Sequence, residues 1–282
     1  MTTYRLQRSS GEDLALHREH VAIVQPRHGE IRWDAFDRAA HDTAALDEAA
    51  SLWETRAVQE MHSLALFTEV AGHLHLLGAP LDWSGAFARM IADEVRHTDL
   101  CLRMCEALGR PATPEIDPAE LHLMSVSSRS HVRQTIVAAF CIGETLSGRM
   151  FRAALRVTDV PLARDVVSAI IVDETFHGEL GWELGALLMR SDGPAFESER
   201  AELANRLPFL FRHFAGQCHA TIAPATARAL PVSDDGPNFG TLSNAGYACA
   251  FFDGMEQDVV PGLVAIGLPE AEAAYAGLIQ SL

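Results

Sequence analysis

Apolar and polar residues recur with a helical period through most of the chain, beginning at about Asp47. Apolar positions three and four residues apart are typical of helices with one buried face, and the alternation typical of β-strands is almost absent. The pattern predicts four long helices, from about Asp47 to Leu77, from Asp82 or Ser84 to Gly109, from Ala119 to Val157 and from Pro161 to Arg190. The serines between 125 and 130 are where the third helix would be interrupted. We therefore predict an all-α protein.

The regions on either side of this core have weaker patterns. Residues 1–46 are mixed in polarity, and Pro26 interrupts any long period, so we predict an N-terminal arm with short helices. Residues 47–192 form the predicted four-helix bundle. Residues 193–282 are predicted to be a helical C-terminal extension packed on the bundle. Its helices are expected at about 197–206, 208–222, 244–260 and 269–281.

Composition narrows the class of protein. The 282 residues are 48% hydrophobic, which is enough to bury one large core. A net charge of −16 argues against a general nucleic-acid or anionic-membrane surface. No apolar run reaches the roughly 20 residues that span a bilayer, and the N-terminus lacks a signal-peptide core. The five cysteines form no Cys-x-x-Cys pair, so we expect buried free thiols and a cytoplasmic location.

The most specific feature is a short motif that occurs twice. The chain reads Asp-Glu-Val-Arg-His at 93–97 and Asp-Glu-Thr-Phe-His at 173–177. In each copy a Glu precedes a His by three residues, so both side chains project from one face of a helix and can reach one metal ion. One Glu-x-x-His is common by chance, but two copies in long helical segments predict two facing half-sites in a helix bundle. The predicted ligands are Glu94 and His97, and Glu174 and His177.

A dinuclear site needs one further carboxylate from each of the other two helices. Glu144 is the acidic residue in an otherwise apolar or small segment of the third predicted helix, where a cation would offset its burial. In the first predicted helix, Glu60 lies 34 residues before Glu94, similar to the 30 residues between Glu144 and Glu174. We choose Glu60 and keep Glu69 as the alternative.

The six predicted ligands are four carboxylates and two imidazoles. Hard oxygen donors with imidazole nitrogen suit Fe(II) or Mn(II), and iron is favoured for O2 chemistry, with a mixed Mn/Fe pair as the alternative. Four carboxylates would neutralise two divalent ions.

Residues 47–190 resemble the ferritin-like di-iron carboxylate superfamily, which includes multicomponent monooxygenases, desaturases, arylamine N-oxygenases and ribonucleotide reductase small subunits. The segment 93–97 is similar to the Asp-Glu-x-Arg-His signature of the monooxygenases and desaturases. The resemblance implies that Asp173 orients His97, that Asp93 orients His177 and that Arg96 pairs with Asp173. The second copy departs from the signature, since Phe176 replaces the arginine. The implied fold is a ferritin-like four-helix bundle with additional N- and C-terminal helices.

Two further positions bear on the subclass. Radical-generating subunits carry a redox Tyr where this chain has Cys101, whereas methane-type monooxygenases are similar to it in having Cys there. Oxygenases and desaturases often place a hydroxyl near the O2 pocket, which the resemblance assigns here to Ser147, with the small Gly148 leaving room beside the metals. Arylamine N-oxygenases carry a His where this chain has Ile170.

These features together predict a non-haem di-iron oxygenase or oxidase. With two iron ions and O2 as co-substrate, it would hydroxylate, desaturate or N-oxygenate a small organic molecule. No flavin or dinucleotide fingerprint occurs, so electrons would come from a separate reductase or ferredoxin. Neither nucleic acid nor membrane is expected as a partner, and a homodimer is left open. The alternative function is ferritin-like iron oxidation and storage.

Overall fold

The computed structural model describes residues 3–6, 15–27, 29–111, 113–121, 128–190 and 194–282. This part of the chain is mostly helical, so the protein is all-α there. The α-helices are α1 Ala15–Ile23, α2 Thr43–Leu76, α3 Leu81–Ala107, α4 Arg129–Thr135, α5 Thr145–Val157, α6 Pro161–Leu188, α7 Pro194–Gln217, α8 Pro224–Arg228, α9 Asn244–Gly254, α10 Val260–Ala265 and α11 Glu270–Gln280. Two π-helical segments are π1 Ile136–Glu144 and π2 Met255–Val259, and 3-10 turns occur at Trp33–Ala35, Arg38–Ala40 and Pro118–Leu121.

Within the described residues, β-structure is limited to two short strands. They are β1 Tyr4–Arg5 and β2 Glu115–Ile116, which pair antiparallel with Tyr4 opposite Ile116. Two residues per strand are too few for a sheet that is stable by itself, so this pair only joins the N-terminal segment to the connection that follows the helix Leu81–Ala107.

The chain divides into two compact units. The first comprises residues 1–128 and 159–173, and the second comprises 129–158 and 174–282. The boundary between Asp173 and Glu174 falls inside α6, so this continuous helix contributes residues to both units.

In the first unit, α2 packs along α3. The buried side of α2 includes Trp53, Ala57, Phe67 and Val70. Trp53 and Ala57 are four residues apart, and Phe67 and Val70 are three apart, as expected for residues on one face of a helix. Glu60 lies on this buried side between Ala57 and Phe67. The packing of α2 on α3 therefore holds a carboxylate in an otherwise apolar stripe.

In the second unit, a large apolar core holds π1 and the start of α5 in place. Phe211 of α7 and Phe251, Phe252 and Met255 of α9 and π2 are fully buried in this core. Val137 and Ile142 of π1 belong to the same cluster. The C-terminal helices thus support the segment that ends at Glu144.

Several helix boundaries differ from the predicted ones. The helix predicted from Asp47 begins at Thr43, because the Asp42 side chain accepts hydrogen bonds from the backbone N–H groups of Ala44 and Ala45 at 3.0 and 3.2 Å. The helix predicted to start at Asp82 or Ser84 begins at Leu81, directly after Pro80. The third predicted helix does not run on from Ala119. A 3-10 turn covers Pro118–Leu121, residues 122–127 lie outside the described part, and α4 begins at Arg129.

The C-terminal region differs in two places. The segments predicted at 197–206 and 208–222 are the single helix α7, which continues through Pro208. Leu203, Leu207 and Phe211 are all buried at intervals of four residues, and this packing outweighs the helix-breaking tendency of proline. The segment predicted at 244–260 continues through π2 to Ala265.

None of the described helices combines the length and the hydropathy that crossing a bilayer requires.

Candidate metal centre

The first unit contains a buried cluster of two carboxylates and one imidazole, which we call the first half-site: Glu60, Glu94 and His97. Each offers one ligand atom, and these atoms lie within 4.8 Å of one another. His97 Nδ1 is 3.6 Å from Glu60 Oε2 and 3.7 Å from Glu94 Oε1. Glu94 and His97 come from adjacent turns of α3, as their spacing predicts, and Glu60 comes from α2.

The structure separates the two candidates on α2. Glu60 faces His97, whereas Glu69 Oε1 lies 3.1 Å from Nε2 of His73, one turn further along the same helix. Of the two alternatives, Glu60 is the one that the structure brings into the first half-site.

The second unit contains a matching cluster, the second half-site: Glu144, Glu174 and His177. His177 Nδ1 is 3.3 Å from Glu144 Oε2 and 3.9 Å from Glu174 Oε1. Glu174 and His177 lie on α6, and Glu144 is the last residue of π1. π-Helical segments are rare and frequently occur at functional sites, since the wider turn changes the direction in which side chains project. The sequence did not predict that the segment before Glu144 would be π-helical.

The two half-sites share one pattern of donor atoms. In each, the His presents Nδ1 to a carboxylate three residues earlier on its own helix and to a carboxylate from a second helix. Two donors that each lie about 2.1 Å from one ion, at angles of 90–120°, are roughly 3.0–3.6 Å apart. The observed separations of 3.3 to 3.9 Å are close to this range. Two oxygen donors and one imidazole therefore fit a divalent ion such as iron or manganese in each half-site.

The far side of the His97 ring also meets a carboxylate. Nε2 of His97 is 3.5 Å from Oδ2 of Asp173, so Nδ1 is the nitrogen directed at Glu60 and Glu94. Burial alone would lower the pKa of His97, but the carboxylates of Asp173 and Glu60 outweigh burial and raise the pKa well above its ordinary value. Burial alone would raise the pKa of Glu60, yet its contact with His97 lowers it below the usual value. The carboxylates of the first half-site thus stabilise a positive charge placed between them.

Buried ion pairs surround this contact. Arg96 Nη1 donates to Asp93 Oδ1 and to Asp173 Oδ2, both at 2.8 Å, so the expected Arg96–Asp173 pair is present. Arg27, from the N-terminal arm, donates to Asp93 from Nη2 at 2.5 Å and from Nε at 3.0 Å. Sequence reasoning missed Arg27, although the phenylalanine at 176 was a signal that the second motif copy needs a cation from elsewhere in the chain. The role of Asp93 towards His177 stays a prediction.

Cys101, Ser147 and Gly148 were the remaining residues with expected roles. Cys101 is fully buried, and burial, together with the charges of Glu60 and Glu94, raises the pKa of its thiol well above the ordinary value, so it stays protonated. Ser147 is half-buried on α5, and its role near O2 stays a prediction. Gly148 does not leave open space: a Cβ there would lie 3.2 Å from Arg152 Nη2, so a guanidinium group covers it.

Comparison with known proteins gives no match, since no protein-family model, no curated protein and no solved structure matches this chain. The functional assignment therefore depends on the two half-sites themselves, which are buried Glu and His clusters of a kind that could hold metal ions.

Proposed function

We propose that the two half-sites together bind two iron ions and that the protein is a non-haem di-iron oxygenase or oxidase. The observation that carries the proposal is the repeated donor pattern, in which two buried carboxylates meet His Nδ1 in each unit. A single such cluster has many explanations, but a matched pair on the helices of an all-α protein is the arrangement of di-iron carboxylate proteins.

The shared helix α6 is the reason for proposing one dinuclear centre. Asp173 contacts His97 of the first half-site, and Glu174 belongs to the second half-site. These two residues are consecutive in α6. We accordingly propose a ferritin-like bundle whose core helices are α2, α3, the α4–π1–α5 segment and α6.

The chain itself would contribute charge, orientation and exclusion of water. The four carboxylates balance two divalent ions, and Asp173 fixes the direction of the His97 ring. Burial of all six ligand residues keeps bulk water from the centre. The protonated Cys101 thiol does not compete as a thiolate ligand.

When bound, the reduced metal pair would supply electrons to O2. For a hydroxylation, a substrate C–H bond and O2 take up two electrons and two protons, and the products are C–OH and one water. A separate reductase or ferredoxin would deliver the electrons. Desaturation and N-oxygenation of a small organic molecule are the other reactions that such a centre supports.

An anaerobic Fe(II) titration of the metal-free protein, followed by O2 exposure, tests the proposal. We expect saturation at two irons per chain and reductant-dependent O2 consumption afterwards. Uptake of many irons per chain would instead indicate storage, and the absence of tight binding would contradict any metal-dependent function.

Variants connect the stoichiometry to the half-sites. Glu94→Ala and His177→Ala should each lose stoichiometric binding while circular dichroism still reports a helical protein. His75→Ala is the matched control, because His75 is exposed on α2. Two tightly bound ions in either ligand variant would contradict the assignment of that residue.

A further inference from the structure

The two motif copies differ at the position before the His. The first copy has Arg96 and the second has Phe176, yet each copy begins with a buried aspartate, Asp93 or Asp173. A buried carboxylate needs a cation or several hydrogen bonds to offset its loss of hydration. In the first copy, Arg96 contacts the aspartate of its own motif, Asp93. The second copy has no arginine that could contact Asp173 in this way, because Phe176 occupies the position.

Arg27, which lies outside both motif copies, provides a positive charge beside Asp173. Its Nε lies 3.0 Å from Asp173 Oδ1, and its Nη2 donates to Asp93 at 2.5 Å. Burial alone would lower the pKa of Arg27, but both aspartates outweigh burial and raise it, so the guanidinium stays charged. Arg89 adds a longer contact of 3.6 Å to the other oxygen of Asp93. Within the described part of the chain, both Arg96 and Arg27 contact Asp173.

Each oxygen of Asp173 lies close to a different arginine. Oδ2 accepts from Arg96 at 2.8 Å and also faces Nε2 of His97 at 3.5 Å. Oδ1 lies 3.0 Å from Nε of Arg27, an ion-pair contact without a hydrogen bond, since this Nε–H donates to Asp93. The two guanidinium groups attract the carboxylate from both sides and favour the orientation in which Oδ2 faces the His97 ring. The ring in turn keeps Nδ1 directed at Glu60 and Glu94.

The segment that carries Arg27 is itself fastened to α3. We call residues Gln25–Arg27 the N-terminal clamp. The carbonyl of Gln25 accepts a hydrogen bond from Arg96 Nε at 2.9 Å. Pro26 favours an extended conformation at Gln25, which suits this contact. Just before the clamp, His20 of α1 lies 3.4 Å from Asp99 of α3.

We propose that Arg27 is a positioning residue for the first half-site, which replaces the arginine missing at Phe176 and holds Asp173 against His97. The inference depends on the proposed function, because it assumes that His97 is a metal ligand. It assigns to the N-terminal arm a role in metal affinity that the arm's weak sequence pattern does not suggest.

The first test compares Co(II) titrations, followed by visible absorption, of the wild type and of Arg27→Leu, Arg27→Lys and Arg32→Leu. Loss of a residue that orients a ligand typically weakens metal binding about 10- to 100-fold. In Arg27→Leu, we expect this loss for the ion in the first half-site, together with an altered Co(II) absorption spectrum. Arg27→Lys should recover only part of the metal affinity, because an ammonium group keeps the positive charge but lacks the rigid planar fork of the guanidinium.

Arg32→Leu is the matched control. Arg32 lies on the same arm and pairs with Asp165 of the same helix α6 at 3.4 Å, but this pair is largely exposed and eight residues from Asp173. The Arg32→Leu variant should therefore bind both ions with the affinity of the wild type. Equal losses in the Arg27 and Arg32 variants would show a general effect of the arm and overturn the proposal.

A double variant tests the replacement directly. Arg96 reaches the aspartate three residues earlier on its own helix, so an arginine at 176 should reach Asp173 in the same way. Arg27→Leu with Phe176→Arg should therefore bind the ion of the first half-site at least about tenfold more tightly than Arg27→Leu alone, within the range of such orienting contacts. No recovery in a folded double variant would overturn the replacement.

A metal-free measurement separates this proposal from the proposed function. In the metal-free wild type, the Nε2 proton of His97 should exchange slowly in ¹H–¹⁵N spectra of the histidine rings, with its signal identified by loss in His97→Ala. Arg27→Leu should speed this exchange. Suppose that the wild type bound no metal but that its exchange was still slower than that of Arg27→Leu. The proposed function would then fail, while the orientation of His97 by Arg27 would stand. Identical exchange in both proteins would overturn the orientation.

Discussion

At the residue scale, Glu60 completes the first half-site from a different helix than Glu94 and His97. Glu60→Gln keeps the size of the side chain but removes its charge, so α2 and α3 should pack as before. We expect one of the two ions to bind more than about 100-fold more weakly, which exceeds the usual effect of residues that only orient a ligand. An anaerobic Fe(II) titration with a competing chelator measures this change.

Glu69→Gln is the control on the same helix. Its carboxylate contacts His73 rather than His97, so both ions should remain bound with unchanged affinity. Equal weakening in the two variants would mean that charge along α2, and not ligation by Glu60, determines metal affinity.

The cysteines give a second prediction at this scale. Burial raises the pKa of the Cys105 and Cys218 thiols to about 12, and it also raises the pKa of Cys101 and Cys141. A raised thiol pKa means less thiolate at pH 8, and thiolate is the species that reacts with disulfide reagents. We expect these four thiols to react in the native protein far more slowly than in urea.

Cys249 serves as the internal comparison, because it is only half-buried, although burial raises its pKa as well. It should be the first thiol labelled at pH 8, and Cys249→Ser should remove that phase. Rapid native labelling of a second cysteine would contradict the burial of the thiols.

At the element scale, the position of π1 depends on a close approach by α6. A Cβ on Gly181 would lie 2.8 Å from the backbone C and O atoms of Phe140 in π1. Backbone atoms cannot move aside as a flexible side chain can, so Gly181→Ala should push π1 away from α6. We expect a loss of about 1–3 kcal/mol in the free energy of unfolding, as for other overpacked positions, and weaker metal binding at the second half-site. Urea denaturation and the Fe(II) titration measure the two effects.

Gly178 provides the matched control, three residues earlier on the same helix. A Cβ there meets no atom within 4 Å. Because alanine is a better helix former than glycine, Gly178→Ala should stabilise the protein by roughly 0.5–1 kcal/mol. A similar loss of stability in both variants would show that close approach is not what Gly181 provides.

The same elements show how far the sequence permits prediction. Helical periodicity predicts the all-α class, and the spacing of Glu94 and His97 correctly predicts that they lie on adjacent turns of one helix. Periodicity does not distinguish π1 from an α-helix, because nine mainly apolar residues fit either hydrogen-bonding pattern. The contact of Arg27 with Asp93 spans 66 residues, and no local pattern encodes it. Short-range spacing is therefore predictable here, whereas the long-range pair of Arg96 with Asp173 was expected only because the family resemblance implied it.

At the scale of the whole molecule, metal binding should stabilise both units, since each contains one half-site. An ion that binds only the folded state adds about 2.7 kcal/mol when its free concentration is 100 times its dissociation constant. We therefore expect Fe(II) under anaerobic conditions to raise the melting temperature by several degrees, and a chelator to reverse the change. Mg²⁺ at the same concentration is the control for general attraction to a chain of net charge −16, and it should have little effect.

Hydrogen exchange can show where this stabilisation occurs. Added Fe(II) should slow amide exchange in α2 and α3 around Glu60 and His97, and also in π1 and α6 around Glu144 and His177, because a bound ion opposes local opening of the helices that hold it. In Glu60→Gln, we expect the protection to weaken more in α2 and α3 than in π1. Protection confined to exposed acidic segments, with none in the four helical elements that carry the half-sites, would mean that the ions bind the surface and that the buried clusters are not metal sites.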